Sequence, residues 1–219
     1  MQTPVRRPTR ERRAEIAAAA LRIIGERGVT SLTTASLAAE IGVTSGALFR
    51  HFTSRDAILA ESVRYAVGRI EETFPDPALP PLERILRLAR NRVRVLGSDP
   101  GLAWLLRSEQ ALLTMPEDAA AQLRALVAKT RRYLLDALVE GAKEGSVRRD
   151  VEPDVLLLTV MGTIHAMIGL GALHRKSTDG RPDLDRVLAG LERLVAPPAA
   201  TAPSRRASKP TPGRNRRQR

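Results

Sequence analysis

The chain has 219 residues, enough for one or two domains with a sizeable core. Hydrophobic residues make up 43% and aromatic residues 3%, so a core must come from Leu, Ala, Val and Ile, which favours helices; the absence of cysteine excludes disulfides, thiol nucleophiles and Cys-ligated metals. The formal net charge of +12 is terminal: residues 1–13 carry +4, the tail from Pro197 holds seven Lys/Arg and no acid, and residues 14–196 keep only +1. Two basic arms, and not a basic body, are thus available to follow a polyanion.

Residues 1–9 contain Pro4 and Pro8 and read as a flexible basic arm, with no apolar run and cleavage site of a secretory signal, so a cytoplasmic location is expected. Thr9 can cap a first helix to about Arg27, with Ile16, Ala20, Ile23 and Ile24 as its buried stripe and Gly28 as its stop. Residues 33–59 then read as two short helices around a tight turn, followed by the start of a third. Thr33 or Thr34 can cap the first, which sets Leu37, Ala38 and Ile41 on one face; Gly42 supplies the turn, and small Ala38 and Gly42 allow a steep approach. Thr44 or Ser45 can cap the second, with Leu48 and Phe52 inward and Ser45, Ala47, Arg50 and His51 outward. Ser54 can cap a helix through about Phe74 whose stripe of Ile58, Leu59, Val63, Ala66, Val67 and Ile70 is long enough to bridge two units.

After the break at residues 75–81, five further helices are expected over about 80–97, 101–114, 117–144, 153–174 and 183–195, each bounded by Pro or Gly. The run 155–173 is uncharged over 19 residues, near the minimum for a bilayer span. Its His165, two threonines and three glycines fit a buried helix better than a lone anchor, so no membrane is expected. Gly162, Gly169 and Gly171 would admit close helix approach at a subunit interface. The last helix, with Leu184, Val187, Leu188, Leu191 and Leu194 on one stripe, offers a second surface for it, giving a two-fold four-helix bundle between copies. From Ala196 the Pro-, Ala- and Arg-rich tail should be disordered.

Thr33 four residues before Leu37-Ala38, then Ile41-Gly42-Val43-Thr44-x-Gly46, Phe49, His51-Phe52 and Arg55 resembles the DNA-binding signature of TetR-family repressors. The resemblance implies an all-α chain of about nine helices: a three-helix helix-turn-helix domain (residues 10–55), then a linking helix and a larger helical ligand-binding and dimerisation domain (56–195), flanked by the arm 1–9 and the tail 196–219. Specific residues match only in the first part; the rest matches in helix count and order. The implied partners are a near-palindromic double-stranded DNA operator, a second copy of the chain through the last two helices, and a small-molecule effector; no cofactor is implied.

A recognition helix must set small or polar side chains against base edges and fasten its ends to phosphates. Ser45 and Ala47 suit the first task, Gly46 lets the backbone approach, and Arg50 is a guanine reader or a phosphate clamp. Thr33, Thr44, His51 and Arg55 suit the second, with Thr34 beside them among the DNA-facing residues. The family usually has Tyr where this chain has Phe49, so a phosphate-bound hydroxyl is replaced by an apolar contact; Arg55 stands for the usual Lys, and Ile41 for a common small Ala. Candidate effector contacts are Asn91, Trp104, Tyr133, Met161, His165 and Met167, polar or soft side chains on otherwise apolar helices, suggesting an apolar or aromatic ligand. Two rival functions remain. An architectural protein would bind nucleic acid through its arms without sequence preference. An enzyme would have to work with three histidines, His51, His165 and His174, and no metal spacing, phosphate loop or nucleophile elbow.

Overall fold

The structure, a computed structural model, describes residues 9–107, 109–173 and 183–198. The basic arm, His174 and the Arg-rich tail beyond 198 lie outside the described residues. The chain folds as helices α1 (Thr9–Arg27), α2 (Thr34–Glu40), α3 (Ser45–Phe49), α4 (Arg55–Glu71), α5 (Pro81–Ser98), α6 (Pro100–Arg107), α7 (Glu109–Thr114), α8 (Glu117–Glu144), α9 (Pro153–Leu173) and α10 (Leu184–Val195). The described residues contain no strand. Among the described residues the nine expected helices become ten because the span 101–114 is divided into α6 and α7, and Thr9, expected to cap the first helix, is itself helical.

The apolar stripe of α1 buries Ile16, Ala20, Ile23 and Ile24 against α4 and α6, while α2 and α3 close the small head with Leu37, Ala38, Leu48 and Phe52. Helix α4 begins in this head and ends against α5 and α8, so its stripe serves two packing sites in one rod. Its exit is clamped from both sides. Asn91 Nδ2 on α5 donates to Thr73 O at 3.1 Å, and Tyr133 Oη on α8 donates to Pro75 O at 3.1 Å. Between them Arg92, nearly fully buried, donates to the hydroxyls of Thr73 and Thr130 and lies 4.9 Å over the Phe74 ring. Burial pulls its pKa down to about 10, and among the described residues it pairs with no carboxylate.

Where α1 meets α6, two glycines bring backbones into contact. A Cβ built on Gly101 would lie 2.6 Å from Leu21 Cβ and nearer still to the Leu21 carbonyl; one on Gly25 would lie 2.6 Å from Pro100 O. Neither end can take a methyl without moving a helix, so the head is fastened to the larger bundle at a point of minimal separation. Helix α9 is long and apolar enough to cross a bilayer. Here it packs on α5, α6, α8 and α10, burying Leu156, Leu157, Val160, Ile164 and Ile168, while Val155, Leu158, Gly162, His165 and Ala166 face outward. The three glycines expected at one interface part company: Gly162 is open, Gly169 is covered within the chain by the Arg107 guanidinium, and the surroundings of Gly171 lie outside the described residues.

Candidate nucleic-acid interface

Thr33 is the residue that starts α2. Its hydroxyl accepts from Ser36 N at 3.0 Å while Ser36 Oγ accepts from Thr33 N at 2.9 Å, a reciprocal capping box; Thr34 is the first helical residue, half-buried. Gly42 takes φ +66°, a left-handed conformation that a side chain opposes. A Cβ at Gly42 would meet nothing, so it serves by this turn and not, as its spacing from Ala38 suggests, by close helix approach. Val43 N donates back to Ala38 O at 2.9 Å, closing the turn.

Thr44 caps α3, accepting from Ala47 N at 3.3 Å. Leu48 and Phe52 point into the head; Ser45, Gly46, Phe49 and Arg50 are exposed, and Ala47 and His51 are half-exposed. Phe49, 58% exposed, is a large apolar ring left in water on the same short helix. Of the ten residues assigned to DNA from the signature, Thr33 and Thr34 start α2, Thr44 to His51 span α3 and its two flanks, and Arg55 starts α4.

Two arginines brace this region through backbone carbonyls. Arg55, at the start of α4, donates to Leu32 O at 3.2 Å and Val29 O at 3.0 Å, holding the entry to α2 while its side chain stays exposed. Arg13 on α1 donates to His51 O at 3.1 Å, sits 4.6 Å over the Phe52 ring and pairs with Glu61 on α4. Sequence reasoning missed Arg13 as anything but part of a basic arm. Its signal was register: it stands three residues before Ile16, in line with the buried stripe of α1.

Burial alone would raise the pKa of Glu61, but hydrogen bonds from Arg64 and Arg13 outweigh it and lower the pKa below the ordinary carboxylate value. A carboxylate with a lowered folded pKa stabilises above its unfolded pKa and loses that contribution as pH falls through the folded one. Glu61→Gln is thus expected to flatten the loss of stability below about pH 4, measured by denaturant unfolding at several pH values. An unchanged acid slope would count against this clamp.

Among the described residues no three His, Asp or Glu side chains converge as a metal site requires. A cavity of about 350 Å³ lies between α6, α7 and α8, lined by Leu105, Leu106, Leu112, Leu123, Val127 and Ala128, with Arg107, Arg124 and Arg131 also in its wall. None of the six effector residues expected from sequence lines it, but Tyr133 lines a second hollow of about 500 Å³ together with Lys129, Arg132 and Asp136. Asn91 and Tyr133 clamp the exit of α4; Trp104 and Met161 are half-buried against the core; Met167 is buried; and His165 is exposed on α9, its pKa lowered by partial burial of the ring and by the Arg107 and Arg92 charges.

Residues 16–62 match the family model described as bacterial regulatory proteins, tetR family. The transcriptional repressor KstR2 of Mycolicibacterium smegmatis is 26% identical over 157 residues, 69% of this chain and 75% of that protein. The solved structure of the ketosteroid transcriptional regulator KstR2 of Mycobacterium tuberculosis is similar with a TM-score of 0.69 at 22% identity, covering 84% of this chain and 95% of that one. AibR, solved in complex with isovaleryl coenzyme A and operator DNA, is similar with a TM-score of 0.67 at 21% identity, covering 84% and 97%. At these identities the two structures establish a shared fold.

Proposed function

We infer that this chain, which belongs to the TetR family of bacterial regulatory proteins, is a DNA-binding transcriptional repressor that acts as a homodimer on a near-palindromic operator and answers to a small molecule. It works in the cytoplasm, where its DNA is. The observation that carries this reading is the edge built by the Thr33 and Thr44 caps and the Gly42 turn, which leaves Ser45, Gly46, Phe49 and Arg50 exposed together. Ser45 and Ala47 face base edges, with Gly46 allowing close approach and Arg50 reading a guanine or clamping a phosphate; Thr33, Thr34, Thr44, His51 and Arg55 hold phosphates. That AibR was solved with both a ligand and operator DNA supports a ligand-answering role for a chain of this fold.

One small head buries too little surface for tight and specific binding, and pairing supplies the second half. The outward face of α9, with Val155 50% and Leu158 65% exposed, and that of α10, with Leu194 53% exposed, form the interface between copies. Two recognition helices about 34 Å apart, or at a multiple of that, then select two half-sites. The test is anisotropy titration and footprinting on the intergenic DNA beside the protein's own gene, with the full chain and with both arms removed. A palindrome preferred in both cases supports the repressor; binding without preference that disappears with the arms supports an architectural protein instead.

Three substitutions sort the contacts. Ala47→Gln is expected to alter base preference by about 1–3 kcal/mol at one position. His51→Ala should weaken cognate and scrambled DNA alike, whereas Phe49→Tyr, restoring a hydroxyl, should tighten both by about 0.5–1.5 kcal/mol. Equal losses on both DNAs for Ala47→Gln and His51→Ala would refute the division.

A further inference from the structure

The cavity between α6, α7 and α8 differs in chemistry from the ligand that the sequence alone suggests. Its apolar wall contains leucines, one valine and one alanine and no aromatic ring, so it offers close packing to an aliphatic chain and no stacking partner to a ring. Its volume of about 350 Å³ lies within the range of small-molecule pockets. Three cationic groups share the wall. Arg124 pairs with Glu117, but among the described residues no carboxylate pairs with Arg107 or Arg131.

Arg107 is placed by the fold. Its guanidinium lies against bare backbone at Gly169 on α9, where a Cβ would sit 2.6 Å from Nη2 and 2.7 Å from Cζ. A methyl at that position would push the guanidinium away, so the glycine leaves room for the charge at the seam of α6 and α9. One turn earlier on α9 stands His165, whose pKa is depressed by partial burial first and by the charges of Arg107 and Arg92 second. Among the described residues, no acid offsets the charge of Arg107 or Arg131 in the cavity wall.

We propose that the effector is an amphipathic anion, with an aliphatic chain among Leu105, Leu106, Leu112, Leu123 and Val127 and an anionic head held by Arg107 and Arg131. A guanidinium offers a planar pair of donors that matches a carboxylate or a phosphate, and its bonds to an anion are stronger than those between neutral groups. The apolar wall supplies the affinity of the chain, and the arginines reject its neutral analogues. This assignment rests on the repressor reading above and narrows its ligand.

The test is titration calorimetry on the full-length protein with dodecanoate, dodecanoyl-coenzyme A, methyl dodecanoate and coenzyme A, all below their micellar concentrations. One or both acyl anions should bind, and the neutral ester should bind about tenfold more weakly or worse. Dodecanoate binding marks a free carboxylate as the head, and binding of the thioester alone marks a phosphate. Arg107→Gln should weaken the anion about tenfold or more and leave the ester unchanged, Arg107→Lys should recover part of the loss, and Arg131→Gln should act in the same direction. Equal affinity for anion and ester, binding by coenzyme A without its chain, or an Arg107→Gln variant with undiminished anion binding would overturn the proposal. Operator binding without ligand is measured in parallel. A protein that selects its operator and ignores every acyl anion refutes this ligand class and leaves the repressor standing; one that binds the anion but no operator refutes the repressor.

Discussion

Gly101→Ala is expected to lower the melting temperature by about 6–12 °C. Overpacking a close helix contact costs about 1–3 kcal/mol, and a chain of this size loses about 2–4 °C for each. The upper end applies because the added methyl would meet the carbonyl and Cβ of Leu21, not the flexible end of a side chain. Gly25→Ala should behave alike, since its methyl would meet Pro100 and the amide of Gly101. The control is Gly68→Ala on α4, where a methyl meets nothing within 4 Å and relief of backbone entropy should stabilise by about 0.5–1 kcal/mol. Calorimetric unfolding of the three variants decides it; if Gly101→Ala and Gly68→Ala move together, the crossing is not tight.

The same variant has a functional reading. Helix α6 presents Gly101 to the head at one end and Leu105, Leu106 and Arg107 to the cavity at the other. Displacing it from α1 is expected to reduce how far a bound ligand lowers operator affinity, because the ligand can shift the head only through contacts that differ between the two states.

Leu158→Asp is expected to dissociate the proposed dimer. The side chain is 65% exposed on α9 in the single chain, so a carboxylate there costs the monomer little, whereas between two copies it would be desolvated twice without a partner. At about 2 kcal/mol for each copy, the dimer dissociation constant rises about a thousandfold. Sedimentation should report a monomer with unchanged helix content by circular dichroism, and palindromic DNA should bind no more tightly than a half-site. A dimer that survives the substitution would place the interface elsewhere. Leu156→Asp, with its side chain buried inside the subunit, should instead unfold the protein, which separates the two faces of α9.

Much of the fold was legible because helix-making information is local. The stripes of α1 and α4, the caps at Thr33, Thr44 and Ser54 and the stops at Pro and Gly involve residues within a few positions of one another, and the chain uses them as read. The candidate DNA edge was legible for the same reason, since α2, the turn and α3 follow in sequence without interruption. Where local reading left alternatives, hydrogen bonding chose: Thr33 over Thr34, and Thr44 over Ser45.

What only the tertiary structure decided involves residues far apart. Arg13 braces His51 and Phe52, Gly25 meets Pro100, and Arg107 lies over Gly169, none of which a periodicity can reveal. What the effector candidates touch likewise depends on distant residues. Asn91 and Tyr133 stood out as polar residues on apolar helices, yet their polar groups hold the backbone at the exit of α4, while the cavity is lined by leucines and arginines that look ordinary along the chain. A side chain's neighbours along a helix follow from spacing, but the space left between helices depends on how whole elements cross. The sequence by itself determined which faces are apolar and where most of the helices start and stop; only their packing decided which cations surround an open apolar space.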